Sequence, residues 1–424
     1  MKILVIGGGL QGLCSAQALL ERGHDVRLLE AHDGVGLETS FANGGLITPS
    51  KCEPWNAPGA WKHLLSSVVD RESAFRLRLR AIPSLTLWGL DFLKHSTAAR
   101  YRASLKANFD LATYSKQKTS ELRQRLGLSF DHASSGTLNV YREGEAIDGL
   151  RHQSESLSQY GMRYEELDSQ GVVSTEPALR YAKDLIKGAF YYPDDDSGDA
   201  YLFCTELRRE IESGGAVVQT GTAATRLMVE QGRVTGVATD RGLIDAEVVL
   251  VAAGHRSPAL VRSAGMSLPI KPAKGYSVTL NVENMDGVPR VPLIDETMHA
   301  AITPLGNRLR MSSTVEFAGF DKRVDPRRIR GLFTLLEELY PRLASKVDRG
   351  NSNPWAGLRP VSSDGLPFVG AGRLPGLYIN AGHGPLGWTL AMGSAHLLAD
   401  CIGGQPSEID SRPFDPSRLA RLTD

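Results

Sequence analysis

The opening stretch MKILVIGGGLQGLCSAQALLERGHDVRLLE restricts the possible folds more than any other part of the chain. Ile3-Leu4-Val5-Ile6 is a short apolar run of the kind that forms a buried parallel strand. It runs into Gly7-Gly8-Gly9-Leu10-Gln11-Gly12, a G-x-G-x-x-G. In such a turn Gly7 permits the tight bend, Gly9 lets a pyrophosphate approach, and Gly12 lets the helix pack closely on the strand. Leu13, Ala16, Leu19 and Leu20 then fall on one helical face, and Gly23 closes the helix. Val26, Leu28 and Leu29 form a second strand ending at Glu30, about 20 residues past the glycines, where a ribose-binding acid belongs. Strand, glycines, helix and acid in that order predict a βαβ dinucleotide site. They do not separate NAD from FAD, because both cofactors use this turn.

Bulk properties narrow the remaining classes. At 424 residues the chain suggests two domains or one interleaved body. Lys and Arg number 48 and so do Asp and Glu, so charge gives no reason to expect nucleic acid as a partner. Cys14, Cys52, Cys204 and Cys401 are scattered, with no C-x-x-C and no neighbouring His, which predicts neither zinc nor a disulfide framework. No run of about 18 apolar residues exists, and the N-terminus does not read as a signal peptide. A cytoplasmic location, with peripheral contact on the inner membrane face left open, is the expectation.

Glu38-Thr39-Ser40-Phe41-Ala42-Asn43-Gly44-Gly45 lies just after the second predicted strand. Small hydroxyls and bare N–H groups at that point suit a cofactor's polar edge, while the plain alternative is a surface loop. Residues from about 55 to 130 read as helical. Within them, Ser73 to Lys94 mixes leucines with arginines, as a membrane-surface patch or an ordinary helix pair would. The period-two alternation of Phe75-Arg76-Leu77-Arg78-Leu79-Arg80 favours the second. Asp194-Asp195-Asp196 reads as a solvated turn and not a metal loop.

Val248 to Val251 is a buried strand leading into Ala252-Ala253-Gly254, a return to the parallel sheet. No second G-x-G-x-x-G follows, which argues against a separate NAD(P)H domain. From about 266 to 345 alternating strands predict an antiparallel sheet. A last cluster holds Trp355 to Pro360, Ser363 to Gly370, and Tyr378 to Trp388, and it opens a helix from Thr389 to Ile402. Unpaired N–H groups at such a turn would stabilise the negative charge of a reduced flavin.

With these residues in view, the chain resembles the D-amino-acid dehydrogenase family of flavoproteins, within the glycine oxidase and D-amino-acid oxidase superfamily. GGGLQG with Glu30, ETSFANGG, EVVLVAAGHRS, KGYSVTL, WAGLRPVSSDGLPFVG and NAGHGPLGWTLA carry the resemblance, which spans almost the whole chain. It implies an α/β fold: a Rossmann-type FAD-binding domain (1–55, 195–265, 350–424) interleaved with an α+β substrate domain on an antiparallel sheet (56–194, 266–349). It also implies noncovalent FAD and oxidation of a small D-amino or D-imino acid to the imino and then the 2-oxo acid. Electrons would pass to a quinone or another acceptor.

By position, the resemblance gives Arg359 the substrate carboxylate, a pairing that suits a planar guanidinium. Tyr276 would line the pocket, or alternatively be a core tyrosine. Cofactor contacts would come from Gly7, Gly9, Leu10, Gln11, Gly12, Glu30, Thr39, Ser40, Asn43, Gly45, Leu46, Ala253 and Gly254. Ala224 would lie near the adenine, and Gly384, Pro385, Leu386, Gly387 and Trp388 would cover the flavin's pyrimidine end. His383 and His299 are candidate bases. Many relatives carry an aromatic residue in the stretch where this chain has Met298-His299, so D-alanine and D-proline or 4-hydroxy-D-proline stay equally open. The rival readings are an oxygen-using glycine or sarcosine type oxidase, an electron-relay subunit, and an NAD-dependent dehydrogenase.

Overall fold

The computed structural model describes residues 1–59, 75–143, 146–419 and 421–422. The opening unit is β1 (Lys2–Ile6), α1 (Leu10–Glu21) and β2 (Asp25–Leu29). Ile3 to Ile6 are all buried, as an inner parallel strand requires. Two helices follow later, α2 (Ile82–His95) and α3 (Ala98–Leu126). Then come α4 (Ala200–Ser213), β3 (Val217–Gln219) and β4 (Val248–Val251). The chain continues through β5 (Ile270–Asn281), β6 (Ala300–Leu305) and β7 (Arg308–Phe317). It ends with β8 (Asn353–Ser362), β9 (Phe368–Ala371), β10 (Leu377–Ala381) and α5 (Ala391–Gly403).

Six of these strands make one sheet in the order β9-β10-β4-β1-β2-β3, parallel except at β9. One apolar core joins α1, α3, α4 and α5 to one face of this sheet. A second core, including Val249, Val251 and Ile379, covers the other face. At Gly393 of α5 a Cβ would stand 2.8 Å from Ser115 Cβ of α3, so this glycine sets the close approach of the two helices.

The second large sheet has nine strands, with β8-β5-β7-β6 at one end, and is mainly antiparallel. Helix Pro326–Leu339 lies over it and buries Leu332, Leu335, Leu336 and Leu339. The fold class is thus the expected one, a parallel Rossmann-type sheet interleaved with an antiparallel one.

Four local expectations need correction. Strand β8 pairs along its whole length with β5, so 353–362 belongs to the antiparallel sheet and not to the parallel-sheet domain placed at 350–424. Phe75–Leu77 is a strand parallel to β7, as the period-two pattern suggests, and not helix. The last helix starts at Ala391 and not at Thr389. Asp195 and Asp196 are buried, not solvated. Asp195 accepts from Ser50 N, Ser50 Oγ and Thr137 Oγ1, and burial raises its carboxyl to about 6. Three neighbouring acids on a turn looked exposed because the sequence does not show Ser50 and Thr137 folding onto them. No group able to hold a metal occurs among the described residues, and all four cysteines are free.

Candidate active site

A cavity of about 780 Å³ lies between the two sheets. Its walls come from the β1–α1 turn, the end of β2, the 38–46 loop, Ala252 to Gly254 after β4, strands β5, β7 and β8, and Gly382 to Thr389. Every residue expected to touch a cofactor lines it except Gly12.

The glycines of the first turn divide their tasks. Gly7 has φ of +113°, and a Cβ there would meet Ala252 O at 2.5 Å. A Cβ on Gly12 would overlap Gly7 O, so Gly12 sits behind the cavity and sets the helix against the strand. Gly9 has only Ser40 Oγ within reach of such an atom, at 3.3 Å, and otherwise faces the cavity. Both Glu30 oxygens accept backbone N–H groups, from Gly8 at 2.6 Å and His32 at 2.8 Å, which fixes the carboxylate at the cavity wall. Gln11 donates through Nε2 to Gly387 O at 2.7 Å and so ties the first turn to the last cluster. Its Oε1 is buried and has no partner among the described residues, an acceptor that a donor in the cavity would satisfy.

The 38–46 loop rests on the antiparallel sheet. Ser277 Oγ donates to Ala42 O at 2.7 Å, Thr303 Oγ1 to Gly44 O at 2.8 Å, and Arg310 Nη1 to Asn43 O at 3.4 Å. Thr39 Oγ1 donates to Leu358 O at 2.7 Å. Asn43 Oδ1 accepts from Gly45 N at 3.0 Å and closes the loop on itself. Glycine cradle, ribose-positioned acid and unsatisfied acceptor together fit a dinucleotide with a polar second half, as FAD has.

Arg359 stands on β8 opposite Ala273. Its guanidinium lies against Gly275, where a Cβ would come within 2.5 Å of Cζ. Arg359 Nη1 donates to Thr314 O at 2.8 Å. Thr314 has φ of +75°, a strained setting for a β-branched residue. It sits where the β5–β7 register slips between Lys274 and Tyr276, and bulges of this kind re-aim groups beside sites. No carboxylate among the described residues pairs with Arg359, and burial pulls its pKa down to about 10. An enclosed cation without a counter-ion calls for an anionic ligand. Gly275→Ala should therefore displace the guanidinium while leaving the cofactor cradle intact. The expected result is a rise in substrate KM of roughly tenfold or more, with the flavin content of the purified protein unchanged.

Other expectations fare differently. Tyr276 is buried, and its hydroxyl donates to Glu316 Oε2 at 2.6 Å. Glu316 also pairs with Arg78 and with Lys274 at 3.4 Å. Burial and then Glu316 raise the Tyr276 pKa. Tyr276 lines the cavity, as expected, with its phenol committed to this ion cluster. Trp388 lines the wall, but its indole packs against Phe203 at 4.7 Å and its Nε1 donates to Gly198 O at 3.1 Å, so the side chain belongs to the core. His299 is exposed and is not part of the cavity wall, and neither is Met298.

His383 is buried at the cavity, with Nε2 on Ser394 Oγ at 3.0 Å and no partner for Nδ1 among the described residues. Burial drops its pKa to about 3, so it is neutral at pH 7 and no proton donor there. The unfolded chain protonates this histidine near 6.5 while the folded one does not. Its contribution is therefore full above pH 6.5 and is lost as pH falls toward 3. Unfolding free energy should drop by about 1.4 kcal/mol per pH unit below 6.5 from this group alone. Denaturant titrations at pH 7.5 and 5.5 of the native protein and His383→Gln would read the difference.

Two lining residues, Lys51 and Ser312, carry no signal in the sequence, and Glu38 and Trp355 of the expected clusters join them. Lys51 pairs with Glu296 at 2.5 Å, and Glu38 takes both His32 Nε2 at 2.8 Å and Lys322 Nζ at 2.9 Å. Ser312 and Trp355 also face the cavity. Lys51 and Ser312 sit in no spaced pattern, and only the tertiary fold brings them to the site.

The profile of the FAD dependent oxidoreductase family matches residues 2–401. A D-amino acid dehydrogenase of Agrobacterium fabrum is 37% identical over 420 residues, covering 99% of this chain and 100% of its own. One of Methylobacterium radiotolerans is 39% identical over 421 residues, with the same coverage of both chains. Among solved structures, a glycine oxidase from Geobacillus kaustophilus superposes with TM-score 0.75 at 23% identity, covering 98% of each chain. An L-proline dehydrogenase from P. horikoshii gives 0.77 at 19% identity, covering 99% of this chain and 97% of that one.

Proposed function

Since this chain belongs to the FAD dependent oxidoreductase family, we propose that Arg359 and the glycine-lined cavity oxidise a small D-amino or D-imino acid. The protein is an FAD-dependent D-amino-acid dehydrogenase in the sense of its relatives, and its reaction gives an imino acid that water hydrolyses to a 2-oxo acid. The observation that carries the substrate assignment is the enclosed, unpaired Arg359 over Gly275, in the same cavity as the nucleotide cradle. FAD would be held by Gly7, Gly9, Gln11, Glu30, Ser40, Asn43 and Ala253-Gly254, with Ala224 at one end and Gly384 to Gly387 at the other. FAD supplies the hydride acceptor.

This chain's own residues do the positioning. Arg359, pinned by Thr314 O, receives the carboxylate through its remaining N–H groups and so fixes the α-carbon. The amine reacts in its neutral form, since an ammonium has no lone pair to give the developing C=N bond. Trp355 lines the cavity on the same sheet face as the Arg359 anchor. His383, neutral at working pH, holds the C-terminal turn and takes no proton.

The electron acceptor is a quinone or a comparable carrier. In support, Leu87 (67% exposed) and Leu90 (60%) stand on the outer face of α2, while Ser84 and Leu85 of the same helix line the cavity. An apolar face beside the opening would suit peripheral membrane contact. No described helix is long and apolar enough to cross a membrane. Turnover with a soluble quinone or dye under argon, compared with peroxide release in air, tests the acceptor. Fast dye reduction with little peroxide is expected, and stoichiometric peroxide would replace the dehydrogenase reading with an oxidase.

A further inference from the structure

The polar face of the antiparallel sheet carries hydroxyls at Ser277, Thr303, Ser312 and Thr314. Three have partners: Ser277 Oγ on Ala42 O, Thr303 Oγ1 on Gly44 O, and Thr314 Oγ1 on Ser313 Oγ at 3.4 Å. Ser312 Oγ has none among the described residues, although Ser312 lines the cavity. Its hydroxyl would lie 3.2 Å from a Cβ on Gly44, so it is aimed at the loop where the cofactor's reactive end is expected.

Register places Ser312 with the substrate anchor. Ser277 of β5 pairs with Ser312 on one side and Trp355 on the other, so the three side chains share a face. Alternation then puts Gly275, Gly357 and Arg359 on that same face. Ser312 is two residues before Thr314, whose carbonyl holds Arg359, which is roughly 7 Å of strand. In an α-amino acid, three C–C bonds and a C–O bond carry a γ-hydroxyl about 4–5 Å from the carboxylate carbon. A hydrogen bond adds about 2.8 Å, so a γ-hydroxyl reaches across a span of the same order as that separation.

We infer that Ser312 is a specificity residue that hydrogen-bonds a hydroxyl on the substrate, so the preferred substrate is a hydroxylated D-amino or D-imino acid. Trp355 supplies the apolar wall against which the carbon skeleton of that substrate packs. The inference rests on the proposed D-amino or D-imino acid chemistry, because Arg359 must already hold the carboxylate. A pocket built to bond a hydroxyl discriminates against the compound lacking it, since the site's own group is then left unpaired.

The test compares 4-hydroxy-D-proline with D-proline, and D-homoserine with D-2-aminobutyrate, by anaerobic flavin reduction and by kcat/KM. The native protein should favour at least one hydroxylated partner by about five- to tenfold. Ser312→Ala should bring that ratio near one by raising KM for the hydroxylated compound alone. Ser312→Thr, which keeps a hydroxyl, should retain the preference, whereas the equally bulky Ser312→Val should not. Flavin absorbance and melting temperature of each variant separate a specificity change from a folding defect. An unchanged ratio in Ser312→Ala overturns the inference. So does a native protein that reduces its flavin with D-proline or D-2-aminobutyrate and shows no preference, an outcome that leaves the proposed function standing. If no D-amino or D-imino acid bleaches the flavin, both fall.

Discussion

Arg359→Leu is expected to lower kcat/KM for the amino-acid substrate by about 10²- to 10⁴-fold while the protein stays yellow. The effect is electrostatic. Arg359 is enclosed, has no carboxylate partner among the described residues, and is aimed by Thr314 O. Its two-pronged bond to a substrate carboxylate would form away from bulk water, where losing one partner of such a pair costs roughly 3–5 kcal/mol. Arg359→Lys keeps the charge but not the planar fork, so a smaller loss of about 10- to 100-fold, mostly in KM, should follow. Stopped-flow flavin reduction separates the two effects, since a binding defect moves the half-saturation concentration and not the limiting rate. Equal kinetics for Arg359→Lys and the native protein would contradict the carboxylate assignment.

A comparably large effect is expected in the opening turn, and its second and third glycines, Gly9 and Gly12, should fail in different ways. Gly12→Ala forces a methyl onto the carbonyl of Gly7, and no rotamer change relieves a clash with backbone. Helix α1 must then lift from β1, so this variant should lose flavin and melt well below the native protein. Gly9→Ala has room except at Ser40 Oγ, 3.3 Å away, so the apoprotein should keep its melting temperature. Its methyl enters the space reserved for the pyrophosphate, and FAD affinity should fall at least about tenfold. Absorbance of the purified proteins and calorimetry with and without added FAD would check both halves.

That contrast marks what can be read from residues alone. The βαβ unit was legible because strand, glycines, helix and Glu30 follow local rules within thirty residues. Arg359 was found by resemblance, but the reason it can lie flat was not. Gly275 is 84 residues away and looks like any glycine in a strand until β5 and β8 pair. The Thr314 bulge is hidden for a similar reason, since nothing in the run Ser312-Ser313-Thr314 announces a positive φ. Tyr276 lines the cavity as expected, but the hold on its hydroxyl was not legible, because Glu316 comes from another strand. Strand β8 was placed in the wrong unit because its glycines and the adjoining cofactor segments share one composition. In each case the missing information was tertiary pairing, which a period or a composition does not contain.

The central claim is that one cavity holds FAD and, at Arg359, the carboxylate of a small D-amino or D-imino acid. The most direct measurement is anaerobic mixing of the purified yellow protein with matched D and L enantiomers of alanine, serine, proline and 4-hydroxyproline, following the flavin absorbance. The account predicts rapid bleaching by the D compounds, little by the L compounds, and none at comparable concentrations in Arg359→Leu. Bleaching by the L series, or bleaching by the D series that survives Arg359→Leu unchanged, would contradict it.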